Sequence, residues 1–270
     1  MSLSYQHIYH AGNFADIHKH LWLIAVIEHL GNKEKPFFWL DTHAGRGIYD
    51  LYSPEAQKTK EGLNGIGKVL KLFEKSDNPL LAKYKTLIDE LNSDKTTLQF
   101  YPGSAYLAAS LLREQDRMTA LELHPQEIEH LKLAMHDFEK VTVKYGDMSK
   151  LISGFLPPKE RRGGVLIDPS FEIKSEYESQ ARLLMQSVKK WSTGTFMLWY
   201  PLLPQRRHER LKEILRDAQL MMTIDEWVFE NPSKAIGMYG SGMIIVNSPY
   251  TAAEKVKRAL SILEKGINKG

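Results

Sequence analysis

The tetrapeptide Asp168-Pro169-Ser170-Phe171 ends an apolar run that begins at Gly163. The run reads as a buried strand, so the acid stands where the strand stops. In an open α/β sheet, ligands bind at the carboxyl ends of strands. A carboxylate there accepts hydrogen bonds from an amino group. Pro169 fixes its own φ and restricts the residue before it, which aims its carbonyl. Phe171 offers a flat face on which a base can stack. Together these are what a methylase of an exocyclic amine requires. A strand followed by an ordinary turn explains the same four residues, and the tetrapeptide alone does not separate the two readings.

Three earlier strand ends carry polar groups as well. The run Phe37-Phe-Trp-Leu-Asp41 leads into Asp41-Thr-His-Ala-Gly-Arg-Gly47, an acid followed by a glycine-containing turn that lets a nucleotide approach the backbone. Met118-Thr-Ala-Leu-Glu122 ends in an acid placed to accept ribose hydroxyls. Val141-Thr-Val-Lys-Tyr145 runs into Gly146-Asp147, where the side chain or backbone can meet an adenine amino group. A single acid after a strand is usually a cap or turn former. The ordered series Asp41/His43, Glu122, Gly146/Asp147 and Asp168 is much harder to assign to chance.

Further strands are expected at Thr195–Tyr200, Met221–Phe229 and Met243–Asn247, with helices near 15–31, 104–113, 125–138, 175–190 and 205–218. Strands alternating with helices imply a sheet covered on both faces. The connection Asn231–Gly240 is polar, carries Pro232, Gly237 and Gly240, and suits an antiparallel hairpin. The predicted fold is therefore α/β: a seven-stranded, mostly parallel sheet with an antiparallel last strand, as in Rossmann-like class I methyltransferases. About 75 residues separate the first two strands, whereas a simple βαβ unit needs about 30. Residues 51–96 hold two amphipathic patterns, Gly62–Lys75 and Leu80–Asn92, and read as a helical insertion within a single domain spanning 1–270. Its lysines, Lys58, Lys60, Lys68 and Lys71 among them, fit a phosphate-gripping lid and a solvated helix face equally well.

Composition narrows the chemistry. There is no cysteine, which excludes disulfides, thiolate catalysis and Cys-ligated metal centres. The first ten residues lack the basic and apolar regions of a signal peptide, and no apolar run approaches the roughly 18 residues of a membrane helix. A cytoplasmic enzyme is expected, with no membrane association. A net charge of +3 permits nucleic-acid binding through a local basic face without demanding it. The turn after Asp41 is not G-x-G-x-x-G, which argues against a nicotinamide oxidoreductase. His7, His10, His18 and His20 are a nominal metal cluster, but His18 and His20 are two apart and diverge on a helix, so no metal is expected.

At this point the chain resembles a known family, the RlmJ-type 23S ribosomal RNA adenine-N6 methyltransferases, over nearly its whole length. The resemblance rests on Tyr5-Gln-His-x-x-His-Ala-Gly-Asn-x-Ala-Asp16 with Lys19-His20; on Leu40-Asp-Thr-His-Ala-Gly45; on Tyr101-Pro-Gly-Ser104; and on Leu111-Leu-Arg-Glu-Gln-Asp116. It continues through Glu122-Leu-His-Pro125, Arg161-Arg-Gly, Ile167-Asp-Pro, Leu198-Trp-Tyr-Pro201 and Ser241-Gly-Met243. It implies S-adenosyl-L-methionine as cofactor and 23S ribosomal RNA as partner of a monomer. By the same resemblance, Lys19 and His20 sit near the methionine carboxylate, His43 and Ser104 line the cofactor site, and Glu122 holds the ribose. Gly146 and Asp147 would contact the adenine end, Asp168 with Pro169 would accept the target amine, and Tyr5 and Phe171 would meet the substrate base.

The family tetrapeptide is Asp-Pro-Pro-Tyr, and here Ser170 and Phe171 replace its last two residues. Serine frees φ and restores a backbone N–H; phenylalanine keeps the stacking face and loses a hydroxyl. Three readings therefore stand: an RNA adenine methylase, a methylase of another planar amine such as DNA adenine or a protein amide, and a non-catalytic cofactor- or RNA-binding relative. Arg161, Arg162, Arg206, Arg207 and Arg210 are candidate phosphate contacts, and each suits an ordinary solvated surface as well. Trp199 is a candidate for the base pocket or for strand-end packing.

Overall fold

The computed structural model describes residues 5–92 and 97–267. The chain begins with a single 3₁₀ turn and helix α1 (Phe14–Gly31), then strand β1 (Phe38–Asp41). Next come β2 (Ile48–Asp50), short helices α2 (Pro54–Thr59) and α3 (Glu61–Asn64), α4 (Ile66–Glu74), α5 (Pro79–Leu91), β3 (Phe100–Pro102) and α6 (Ser104–Ser110). The remainder alternates as β4 (Arg117–Glu122), α7 (Glu127–Ala134), β5 (Val141–Tyr145), α8 (Met148–Phe155), β6 (Gly163–Ile167), α9 (Glu176–Lys190), β7 (Thr195–Leu202) and α10 (His208–Asp217). The chain closes with β8 (Met222–Val228), β9 (Gly240–Val246) and α11 (Tyr250–Ile267).

Seven strands form one sheet in the order β5-β4-β1-β6-β7-β9-β8. The first five are parallel, and β9 lies between β7 and β8 and runs antiparallel to both. The expected architecture is present, and the antiparallel strand is the last one. Every residue of β1 and β6 is buried, which explains why these strands read as continuous apolar runs rather than as alternations. Sequence order reverses between β1, which leads out to β4, and β6, which leads out to β7. That switch point opens a crevice above the carboxyl ends of β1 and β6, where Asp41 and Asp168 stand.

Two apolar layers cover the sheet. One contains residues of α1, α4, α5, α6, α7 and α11; the other contains residues of α8, α9 and α10. Helix α1 is capped by Asn13, whose side chain accepts from Asp16 N–H. It is buried along most of its length and takes Asp16, His18, Lys19 and His20 into the interior with it. Charged groups so placed need partners, and the site below supplies them.

The insertion is built into this core. Leu80, Leu81, Tyr84, Leu87 and Ile88 of α5 and Val69 and Phe73 of α4 are buried in the same layer as α1. Strands β2 and β3 pair antiparallel at its base, and residues 93–96 of the expected span lie outside the described residues. Helices α8 and α11 and the β2–β3 pair are additions to the sequence reading. Among the described residues, no helix is long and apolar enough to cross a membrane.

Candidate active site

A cavity of about 450 Å³ lies over the strand ends at the switch point. It gathers Tyr5, Lys19, His20, His43, Ser104, Glu122, Asp168, Pro169 and Phe171 in one place. Gly146 and Asp147 are not among its lining residues. Asp147 instead caps α8, its Oδ1 accepting from Ser149 N–H at 2.9 Å and from Ser149 Oγ at 2.7 Å.

The Glu122 side of the cavity is organised by the turn after β1. Glu122 Oε1 accepts from Leu123 and His124 N–H at 2.8 and 2.7 Å, and Oε2 accepts from Gly45 N–H at 2.8 Å. Burial pushes the Glu122 carboxyl up, and those three backbone donors oppose it. Three donors leave one of a carboxylate's roughly four lone-pair positions open, so Glu122 is held rigidly and can still accept from one further donor such as a hydroxyl. Gly45 has φ +59°, and a Cβ there would stand 2.2 Å from Tyr49 Oη. Glycine is therefore required for this turn to present its N–H to Glu122.

His43 links the turn after β1 to Asp168. Its Nδ1 lies 3.3 Å from Asp168 N–H and 2.8 Å from Thr42 Oγ1. A backbone N–H can only donate, so Nδ1 acts as the acceptor for Asp168 N–H; the Thr42 hydroxyl itself donates to Leu166 O at 2.9 Å. Burial holds this imidazole down at about 4. It is therefore neutral near pH 7, and its proton sits on Nε2, a buried atom with no partner. His20 is similar. Burial lowers it to about 3, its Nδ1 meets Tyr84 Oη at 2.7 Å and Tyr101 Oη at 3.0 Å, and Nε2 is unpartnered. Tyr84 comes from α5, so the insertion helps to set the His20 wall of the cavity. Asp41 has an unpartnered Oδ2, and burial pushes its carboxyl up to about 7.

The Asp168 side of the cavity is a chain of polar contacts. Lys19 Nζ lies 2.5 Å from Asp168 Oδ2 and 2.8 Å from Asp16 Oδ1. Burial opposes the Lys19 charge, but the two acids outweigh it and raise its pKa. Asp16 also receives His7 Nε2 at 2.9 Å and Gly12 N–H at 2.9 Å. Burial raises the Asp16 carboxyl, and His7 with Lys19 overcome this and hold it well below the ordinary range. Tyr5 Oη reaches His7 Nδ1 at 2.9 Å, and the Tyr5 ring stacks on His10. His10 in turn meets Glu61 at 2.9 Å, which ties the N-terminal segment to the insertion.

Phe171 lines the cavity but is 5% exposed, with φ 53° and its ring 4.5 Å from that of Tyr177. Most of its surface is spent on packing. Trp199, 6.1 Å from Phe171, is half-buried and lines the cavity too. The sequence reading did not assign roles to Asp16, Glu61 or Glu127. The family motif contains Asp16, but its contacts with Lys19 and His7 depend on the fold. Among the described residues, no group of three or more His, Asp or Glu side chains is arranged to hold a metal ion.

The candidate basic surface divides in two. Arg206 and Arg210 pair with Glu209 and Glu213, and Arg162 donates to Lys35 O and Leu30 O. These side chains serve the fold's own acids and carbonyls. Lys58, Lys60, Lys68 and Lys71 on the insertion are exposed, and Lys60 directly precedes the cavity-lining Glu61.

Comparison with known proteins agrees with this picture. The family model described as "Ribosomal RNA large subunit methyltransferase D, RlmJ" matches residues 34–270. Two relatives, each named Ribosomal RNA large subunit methyltransferase J, come from Haemophilus influenzae and Escherichia coli. They are 40% and 35% identical over 267 residues, covering 98% of this chain and 94% of each relative. A crystal structure of a Legionella pneumophila protein superposes with a TM-score of 0.89 at 38% identity, covering 97% of this chain and 95% of that one. The chain belongs to the RlmJ family of ribosomal RNA large subunit methyltransferases.

Proposed function

We propose that this protein transfers a methyl group from S-adenosylmethionine to the exocyclic N6 amine of an adenine in 23S ribosomal RNA. The observation that carries the reading is the convergence of Asp168 and Pro169 with His43, Ser104 and Glu122 in one cavity. The residues fit the cofactor: Glu122 retains acceptor capacity, and His43 and His20 each have a buried nitrogen without a partner. When bound, S-adenosylmethionine supplies an electrophilic methyl group carried on a sulfonium.

The cavity's charge supports a base rather than a phosphate as the group that enters. Asp16, Glu61, Glu122 and Asp168 line it against Lys19, while the fifth lining acid, Glu127, is paired with Arg46. A surplus of carboxylates repels phosphate and favours a cationic sulfonium and a neutral base. The base must then leave its stack while the backbone stays outside, where the exposed Lys60, next to the cavity-lining Glu61, favours phosphate.

The adenine N6 lone pair is delocalised into the ring, so the amine is a weak nucleophile. Asp168 and the Pro169 carbonyl accept hydrogen bonds from its two N–H groups, favour a pyramidal nitrogen and stabilise the positive charge that develops there; once the methyl has moved and the thioether has left, the nitrogen releases one proton to water. His43 fixes the Asp168 backbone, and Lys19 fixes its carboxylate. In-line placement of the amine supplies much of the remaining acceleration. Methylation of ribosomal RNA from a strain lacking the gene, followed by mass mapping, tests the assignment. N6-methyladenine restored in 23S RNA is the expected result; its absence, or methyl transfer only to DNA or protein, would overturn it.

A further inference from the structure

A polar network reaches the cavity from behind, through Trp199. The Trp199 Nε1–H donates to Ser241 Oγ on the neighbouring strand β9 at 2.9 Å. Ser241 Oγ lies 3.0 Å from His18 Nδ1, and His18 Nε2 lies 3.1 Å from Asp225 Oδ2. Trp22 Nε1–H donates to the same Asp225 oxygen at 2.7 Å. His18 and Ser241 are fully buried. Serine, histidine and acid stand in series here, but a buried hydroxyl that accepts from an indole has no access to a substrate, so this is not a nucleophilic triad.

The proton inventory shows what the chain can do. An indole only donates, so Ser241 Oγ accepts from Trp199. The single serine proton is then available to His18 Nδ1, and the His18 Nε2–H to Asp225. Every hydrogen bond points the same way and ends on a carboxylate, the arrangement in which each bond polarises the next. The indole is anchored at its one polar atom by residues of α1, β8 and β9.

Phe171 is poorly placed to receive a base, because its ring is 5% exposed and packed on Tyr177. Trp199 is the larger and more open aromatic surface beside Asp168. We propose that Trp199, rather than Phe171, forms the aromatic wall of the acceptor-base pocket, and that Ser241, His18 and Asp225 are its positioning residues. The inference rests on the base-methylating reading above and adds to it the residue that receives the base.

A short single-stranded RNA carrying 2-aminopurine provides the test, because stacking on an aromatic ring quenches its fluorescence independently of turnover. The wild-type protein quenches the probe. Trp199→Ala weakens that interaction by on the order of ten- to a hundredfold, the range found when a stacking aromatic is truncated. It leaves S-adenosylmethionine affinity unchanged. Trp199→Phe retains part of the quenching. Ser241→Ala weakens probe binding severalfold in the wild-type background but not in the Trp199→Phe background, since phenylalanine has no N–H to anchor. A purely structural role for Ser241 would cost the same in both. Quenching that survives Trp199→Ala, no quenching by the wild type, or an equal Ser241→Ala loss in both backgrounds overturns the proposal. Absence of methyl transfer to RNA would instead reject the proposed reaction, and the fluorescence result would still decide the wall.

Discussion

Lys19 Nζ stands between two acids, 2.5 Å from Asp168 Oδ2 and 2.8 Å from Asp16 Oδ1, and all three side chains are largely withdrawn from solvent. The lysine is therefore an internal strut. It neutralises part of the acid charge of the cavity and holds the Asp168 carboxylate at a fixed position, where the proposed reaction puts the amine.

Asp168→Asn keeps the shape and one acceptor oxygen but removes the charge that stabilises a developing cation. Loss of one preorganised electrostatic group typically costs about 10²–10³-fold in kcat. Methyl-transfer rates on a 23S RNA transcript should fall by that order while S-adenosylmethionine affinity, measured by calorimetry, changes little. Unaltered turnover would remove Asp168 from the chemistry.

Lys19→Met leaves Asp16 and Asp168 facing each other without a cation. Breaking a buried pair by removing one partner costs about 3–5 kcal/mol. The pH dependence follows from the directions of the shifts. The Asp16 carboxyl is lowered, so its contribution to stability is complete above the unfolded value of about 4 and is lost as pH falls through the lower folded value. The Lys19 pKa is raised, so its contribution is complete below about 10 and is lost as pH rises through the higher folded value. The Tm difference between wild type and variant should be largest at neutral pH and shrink toward both extremes.

Asp41 behaves in the opposite sense. Burial raises its carboxyl to about 7, so the folded state holds a proton that the unfolded state releases near pH 4. Its presence therefore costs stability progressively as pH rises from about 4 to about 7. Asp41→Asn keeps an oxygen to accept from His43 N–H, a contact of 3.2 Å in the wild type, and removes the ionisable group. The variant should gain on the wild type between pH 5 and 8 in thermal melts. A constant difference across that range would show that Asp41 does not titrate there.

Ser170→Pro restores the second proline of the family tetrapeptide. A compatible X→Pro change stabilises by about 0.4–1 kcal/mol, chiefly through the unfolded chain. Less freedom at this position should also hold the Pro169 carbonyl more firmly. A slightly higher Tm and a few-fold rise in kcat, with unchanged cofactor affinity, are the expected results of stopped-time methylation assays. A fall in kcat would mean that the Ser170 N–H or hydroxyl has a role of its own.

The central strands were legible because burial on both faces writes itself as uninterrupted apolar runs, as in Gly163–Ile167. The strand-end acids were legible because topology alone places them on one edge. Helix α11 carries an apolar stripe at Ala252, Val256, Ala259, Leu260 and Leu263, and that periodicity is the signal that finds it. Asp16 was less accessible. Its role depends on Lys19, one turn away on the same helix, but also on Asp168, 149 residues beyond Lys19. Phe171 shows the converse. Its residue type suggests a stacking face, and only the packing of Tyr177 reveals how little of that face is open. The insertion's lysines kept two readings because charge in a sequence does not say which acids will come to meet it.

The place of β9 bears on how the protein is made. This strand lies between β7 and β8, yet it is synthesised after both. Until it emerges, β8 has no strand to pair with, β7 is paired on its β6 side alone, and His18, near the start of the chain, lacks Ser241, 223 residues later. Contacts of such long sequence separation form slowly. A nascent chain halted before Gly240 would hold Asp41, Glu122 and Asp168 in an unfinished sheet, and competence would arrive only with the closing strand.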